Sequence, residues 1–223
     1  MKLQLVIGNK NYSSWSMRPW IALRQAGIAF EEVQLKFDTS GGGVRVVGIE
    51  PYSKAGKVPV LLVDGAAVWD SLAICETAAE LFPGKPLWPE APEARRMARS
   101  VCAEMHSGFQ DLRGSMPMNI RGRHPGKGMT PAVRTNIDRI VELWTECRQR
   151  FGSGGTLLFG RFSIADAFYA PVVTRFQTYA VELPRVAQEY CEAVLALDAV
   201  REWSEAALRE KAFVQADEPY AKR

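Results

Sequence analysis

Between residues 83 and 92 the chain reads PGKPLWPEAP, four prolines in ten positions. Proline lacks the amide that a helix interior or an inner strand requires, and its ring clashes with the preceding turn. Neither element can cross this stretch, so the chain must fold separately on its two sides. The spacing divides it into a first unit at 1–82, a linker at 83–92 and a second unit at 93–223.

The two sides carry different periodicities. Upstream, LQLVI (3–7) reads as a strand. Ser16 can cap a helix that runs to Gly27, with Pro19 tolerated in its first turn and Gly27 as its stop. Val33, Leu35 and Phe37 alternate within a second strand at 28–37. TSGGGVRVVG (39–48) is a connection. Its glycines make no phosphate loop, because no Gly-Lys-Ser/Thr and no helix follow. KVPVLLVDGAAVW (57–69) predicts a hairpin turning at Asp64-Gly65. Asp70 and Ser71 then cap a helix with the sequence LAICETAAELF, whose apolar residues fall on two adjoining stripes. The order is β-α-β, then β-β-α. Downstream everything reads helical, most clearly 131–151, where Val133, Ile137, Ile140, Trp144, Cys147 and Phe151 recur at steps of four and three.

Composition narrows the function. Apolar residues are 47% and charged ones 24%, as in a globular protein with a sizeable core. A net charge of +3 argues against nucleic acid or an anionic membrane as the main partner. The densest basic stretch, Arg121, Arg123, His124 and Lys127, reads as a solvated loop or an anion site. Cys75, Cys102, Cys147 and Cys191 are scattered without metal-ligand spacing, and only two histidines accompany them, so no metal site is expected. Three of the cysteines sit at apolar helical positions, as small core residues do. Leu3–Ile7 is too short for a signal peptide and no segment is long enough to span a membrane. Free thiols with no such signal point to the cytoplasm.

Three constellations can carry chemistry. NYSSWSMRPW (11–20) places hydroxyls where a strand hands over to a helix. The unpaired amides and partial positive charge of a helix N-terminus stabilise an anion, and serines beside them add donors. Capping and the binding of a phosphate, carboxylate or thiolate are both open to it. GKVP (56–59) puts a proline near the start of a strand. With a cis Val58–Pro59 bond, the Val58 backbone would face outward and pair with an extended peptide ligand; a trans bond leaves an ordinary edge. Asp70-Ser71 at a second helix start suits a group with both charges, such as an α-amino acid end, or simple capping.

Taken in order, the Ser-rich turn, RPWIALRQAGI, GKVPVL, VDG, DSLAICE, the proline linker and a helical remainder resemble the cytosolic glutathione S-transferases over essentially the whole chain. SSWSMRPWIALRQAGI is most similar to the serine-type zeta-class motif, and FSIADA (162–167) to the family's Ser/Thr-x-x-Asp box, in which Ser163 caps a buried helix and Asp166 reaches back. The resemblance implies an α/β, thioredoxin-like N-terminal domain followed by an all-helical C-terminal domain, assembled as a homodimer. It implies glutathione as co-substrate or cofactor, with a small electrophile as the other ligand.

By position, the hydroxyl that activates the thiol is Ser13 or Ser14, with Tyr12 ranked below them. Val58, beside a cis Pro59, meets the cysteinyl backbone. Asp70 and Ser71 hold the γ-glutamyl end, and Lys57, or less readily Lys54, meets the glycyl carboxylate. Trp15, Met116, Met118, Asn119, Phe176 and Tyr179 would shape the electrophile pocket, although core packing competes for each. Arg175 would orient an acidic substrate or pair with a carboxylate. The implied activity is conjugation of small apolar electrophiles, a detoxifying role. The alternatives are a zeta-like maleylacetoacetate isomerase and a glutathione-binding module without turnover. Trp15 stands where the zeta motif has cysteine, which weighs against that class's isomerase activity and leaves an omega-like thiol–disulfide reaction without its nucleophile.

Overall fold

The computed structural model describes residues 1–39 and 43–221. Four strands form one sheet: β1 (Leu3–Ile7), β2 (Glu31–Gln34), β5 (Val60–Val63) and β6 (Ala66–Val68), in the order β2-β1-β5-β6. β1 runs parallel to β2 and antiparallel to β5, and β5 to β6 is the hairpin expected at Asp64-Gly65. The central strand is covered on both faces, which is why LQLVI is nearly continuously apolar. Leu3, Leu5 and Ile7 face α1 (Ser14–Gln25) and α2 (Ser71–Leu81) in the main core. Val6 points to the other face, where Val46, Ile49 and Val60 join it under a small ribbon of β3 (Phe37–Asp38) and β4 (Arg45–Val46).

The second half is helical: α3 (Pro92–Ser107), α4 (Gln110–Ser115), α5 (Pro131–Phe151), α6 (Ile164–Tyr179), α7 (Arg185–Leu195) and α8 (Asp198–Arg209). α5 has the limits that its stripe predicts, and Thr130 caps it by accepting from the Val133 amide. α6 is buried all round except at Gln177, so it is the hub of this half. Asp166 reaches back from its first turn: Oδ2 accepts from the Ser163 amide (2.9 Å) and hydroxyl (3.2 Å), and Oδ1 from the Leu158 amide (3.2 Å). α1 packs against α6, α2 and α8, joining the two halves.

Several expectations need correction. α1 begins at Ser14 and is capped by Ser13 rather than Ser16, because the Ser13 hydroxyl accepts from the Ser16 amide at 3.3 Å. Pro19 consequently lies inside the helix and not in its first turn. The strand predicted over 28–37 breaks into β2 and the first residue of β3, and the connection at 39–48 contains β4, which pairs with β3. Residues 40–42 of that connection lie outside the described residues. The chain is not helical to its end: after Arg209 it runs as an extended strap with one 3₁₀ turn at Gln215–Asp217. The basic loop is solvated at Arg123 and Lys127 but packed at Arg121 and His124. Arg121 bonds to Tyr12 and to the strap, and the His124 ring packs against Tyr179 and Tyr220.

Asp166 yields a stability test. Burial pushes its carboxyl up to about 6 despite three donors, against an unfolded value near ~3.9. A raised value in the folded state means that its contribution is full below the unfolded value and fades as pH rises through about 6. Urea midpoints measured across that window should fall with rising pH in the wild type and flatten in Asp166→Asn. Asp166→Ala, which orphans three donors, should lose roughly 2–4 kcal/mol at any pH in the window.

Candidate active site

The turn between β1 and α1 is fixed by two buried hydroxyls in series. Ser13 Oγ lies 2.7 Å from Ser16 Oγ and accepts from the Ser16 amide, while Ser16 Oγ accepts from the Gly8 amide at 3.1 Å. Ser13 is therefore occupied in closing the helix. Its neighbour Ser14, at the first helical position, makes no side-chain hydrogen bond among the described residues, and it lines a cavity of about 720 Å³. Tyr12 also reaches this cavity, but its hydroxyl is spent on Glu218 Oε1 (2.6 Å) and the Ala212 carbonyl (3.0 Å). Burial and then Glu218 push that phenol up to about 12.

The opposite wall comes from the start of β5. The Val58–Pro59 peptide is cis, and Gly56, Lys57, Val58 and Pro59 line the cavity. No hydrogen bond joins the Val58 main chain to another described residue. Lys57 is exposed there without an ion pair among the described residues; Lys54 is exposed elsewhere. Asp70 closes the same side. Its Oδ1 caps α2 by accepting from the Leu72 amide at 3.1 Å, and its Oδ2 lies 3.1 Å from His106 Nε2 on α3. Ser71 is fully buried behind it, and its hydroxyl has no partner.

The third wall is cationic. Trp15, half exposed on the first turn of α1, is covered by the guanidinium of Arg18 at 4.3 Å and that of Arg113 at 4.7 Å, with the His106 ring edge-on at 5.2 Å. Arg18 is 1% exposed and also lies over Phe168 at 5.0 Å. Its Nε and Nη1 have no partner. Arg175 is held on α6 by the Met116 carbonyl (Nε, 2.9 Å) and the Pro171 carbonyl (Nη1, 3.1 Å), which leaves Nη2 for the cavity. Burial first, then their mutual repulsion, lowers Arg18 to about 9 and Arg175 to about 10, while burial lowers Arg113. All three remain charged at neutral pH. None bonds to a carboxylate among the described residues, so this end of the cavity carries positive charge with nothing to compensate it at bonding distance.

The structure thus gathers Ser13, Ser14, Trp15, Lys57, Val58, Pro59 and Asp70 on one cavity. It does not bring Met116, Met118, Asn119, Phe176 or Tyr179 to the wall. Met116, Met118 and Phe176 are buried in the core; Asn119 accepts from the Asn11 side chain (2.9 Å), and the Tyr179 hydroxyl donates to the Pro117 carbonyl (3.0 Å). Their apolar or satisfied side chains gain more from packing than from the cavity. Arg113, His106, Phe37, Trp69 and Asp217 were not foreseen. Arg113 immediately precedes GSMPMNIRGR (114–123), which carries Met116, Met118 and Asn119, but nothing in sequence spacing marks a residue that arrives from the chain's far end, as Asp217 does. No cysteine lines the cavity. Among the described residues no cluster of His, Cys, Asp or Glu could hold a metal, and no helix is long and apolar enough to cross a membrane.

Two family models match the chain: the glutathione S-transferase N-terminal domain over residues 12–81 and the glutathione S-transferase C-terminal domain over 130–206. The chain belongs to the glutathione S-transferase family. It is 27% identical to the maleylacetoacetate isomerase of Rattus norvegicus over 191 residues, 84% of this chain and 86% of that one. It is 26% identical to a probable maleylacetoacetate isomerase of Caenorhabditis elegans over 171 residues, 76% of this chain and 77% of that one. Among solved structures, a Burkholderia glutathione transferase homologue with bound glutathione superposes with a TM-score of 0.69 at 20% identity, covering 93% of this chain and 98% of that chain. A rice glutathione S-transferase in complex with glutathione gives 0.64 at 20% identity, covering 93% and 95%. At these identities the structures share the fold with this chain.

The Trp15 stack can be tested directly. Trp15→Ala removes the shared face of two guanidiniums, each contact worth about 0.5–2 kcal/mol. It should lower the urea-unfolding free energy by roughly 1–4 kcal/mol, with Trp15→Phe falling between it and the wild type. Equal stability of all three proteins would show that the stack holds nothing together.

Proposed function

We propose that this protein is a glutathione-dependent enzyme in which the Ser14 hydroxyl stabilises the glutathione thiolate for attack on a small electrophile. The observation that carries the reading is the division of labour between two adjacent serines, one spent on capping and the other free at the same helix start. Ser14 donates to the sulfur anion and is not itself a nucleophile. Lowering a thiol from ~8.5 to ~6.5 takes roughly 2.7 kcal/mol. A hydroxyl bond to a charged acceptor supplies about 1.5–3 kcal/mol, and the helix terminus roughly 0.3–1 kcal/mol more. Together they suffice without a base. The unpaired Val58 main chain fits the cysteinyl backbone. Asp70 fits the γ-glutamyl end, with the orphaned Ser71 hydroxyl buried behind it off the cavity wall, and Lys57 fits the glycyl carboxylate.

The cationic wall favours a second reading of the electrophile. Apolar acceptors fit the Trp15 and Phe37 surfaces, but Arg175 and Arg113 suit a substrate that carries carboxylate. The relatives named maleylacetoacetate isomerases support an acidic acceptor, with glutathione adding, allowing rotation about the former double bond, and leaving unchanged. Homodimeric assembly, cytoplasmic residence and a detoxifying role belong to the same proposal.

Ser14→Ala should raise the pH at which bound glutathione develops thiolate absorbance and cut kcat/KM by about 10- to 150-fold. Ser13→Ala should chiefly lose helix-cap stability, about 1 kcal/mol. If Ser14→Ala keeps full activity and an unshifted thiolate titration, the assignment is wrong. Conversion of maleylacetone with glutathione undiminished separates isomerisation from conjugation of a chlorinated aromatic, which consumes it. Arg175→Met should raise KM for the carboxylated acceptor more than for an uncharged one.

A further inference from the structure

The strap that follows α8 folds back across the cavity and is held on both sides of one acidic residue. Before it, Glu210 accepts from the Lys10 amide (2.7 Å) and the Asn11 amide (3.1 Å), and the Ala212 carbonyl accepts from Arg121 Nη2 (2.7 Å). After it, Glu218 accepts from Tyr12, and the Tyr220 hydroxyl donates to the Ser115 carbonyl at 2.7 Å. Val214 is buried between these anchors. The 3₁₀ turn at Gln215–Asp217 then sets Asp217 into the cavity wall, at the end where Arg175 and Arg113 stand. The Asp217 carboxylate forms no hydrogen bond or ion pair among the described residues. An anchored strap has delivered one acid to a cationic pocket without tying it down.

We propose that Asp217 is a specificity-determining residue, the built-in counter-ion of Arg175, and that it sets how the cavity treats charge on the electrophile. The proposal rests on the reading of the cavity as a glutathione site with the electrophile at its arginine end. When a carboxylate enters beside Arg175, it meets Asp217 as a like charge. The pair is relieved if Asp217 takes one proton from solvent, so an anionic ligand and a proton bind together. Burial already holds Asp217 up at about 6. Arg175 on α6 opposes that rise, and Glu218 in the strap reinforces it. The remaining charged or titratable groups around it are Arg113 on α4, Tyr179 on α6, Tyr12 in the Ser-rich turn, Lys57 before β5 and Asp70 at the start of α2. The sign follows: below about 6 Asp217 is neutral and the cavity accepts anions readily, and above it the ionised carboxylate opposes them.

S-benzylglutathione and S-(para-carboxybenzyl)glutathione differ by one carboxylate at the arginine end, and calorimetry gives the ratio of their affinities without requiring turnover. In the wild type the carboxylated ligand should gain on the plain one as pH falls through about 6. Well above that pH, Asp217→Asn should raise the ratio about tenfold and make it flat with pH. Asp217→Glu should keep the wild-type behaviour, which separates charge from folding. In buffers of different ionisation enthalpy at pH ~6.5, binding of the carboxylated ligand should take up about half a proton in the wild type, as a tenfold coupling allows, and none in Asp217→Asn. An unchanged ratio and pH profile in Asp217→Asn would falsify the proposal while leaving the glutathione reading intact. Failure of the wild type to bind either conjugate would overturn the glutathione reading, and the role of Asp217 with it.

Discussion

Two serine hydroxyls in series hold the start of α1 to the end of β1, and the candidate site takes its geometry from that join. Ser13 closes the first turn through the Ser16 amide and hydroxyl, and Ser16 secures the Gly8 amide just after β1. A buried amide left without a partner costs about 1–3 kcal/mol, so both serines are needed where they stand. With Ser13 committed, the next two residues face the cavity at a helix terminus where the Ser14, Ser16 and Met17 amides are bonded and the Trp15 amide has no partner among the described residues. The same join aims Trp15 at the helical half.

α1 is buried on both sides, and this explains the unusual company of Trp15. Met17 and Ile21 pack in the main core with the sheet residues Leu5 and Ile7, while Arg18 reaches across to Phe168 on α6. A guanidinium buried without a carboxylate is costly. Here aromatic faces shelter it in place of an acid. An acid within bonding distance would satisfy Arg18 but cancel the positive field at this end of the cavity. Arg113 and Arg175 follow the same pattern, bound to main-chain carbonyls, which orient a guanidinium without neutralising it. The site gains charge for a ligand at some expense to the fold, and Asp217 lines the same cavity as Arg113 and Arg175.

Much of the fold was legible in the residues because it depends on local rules. Proline spacing marked the break, a short apolar run gave β1, the Asp64-Gly65 turn gave the hairpin, and the four-three stripe gave α5 its limits. Asp70 was readable as a cap, and so was the back-bonding of Asp166. The start of α1 was misjudged because three serines in four positions all suit a cap, and only the contact from Ser16 to Gly8 selects Ser13. Met116, Met118 and Asn119 were candidates for the pocket through the family resemblance. The side chains of Met116 and Met118 instead turn into the core, and Arg113 from the preceding helix takes the wall.

The sequence by itself marked Ser13, Ser14, Lys57, Val58, Pro59 and Asp70 as candidates, since each stands at an element boundary, and boundaries are written in short stretches of chain. Only the tertiary structure decided which serine is free and which arginines face the ligand, and that an aspartate from the far end stands among them. Those outcomes depend on contacts between residues separated by up to two hundred positions. No local pattern encodes them; what fixes them is which groups find a partner once the two halves close on α1.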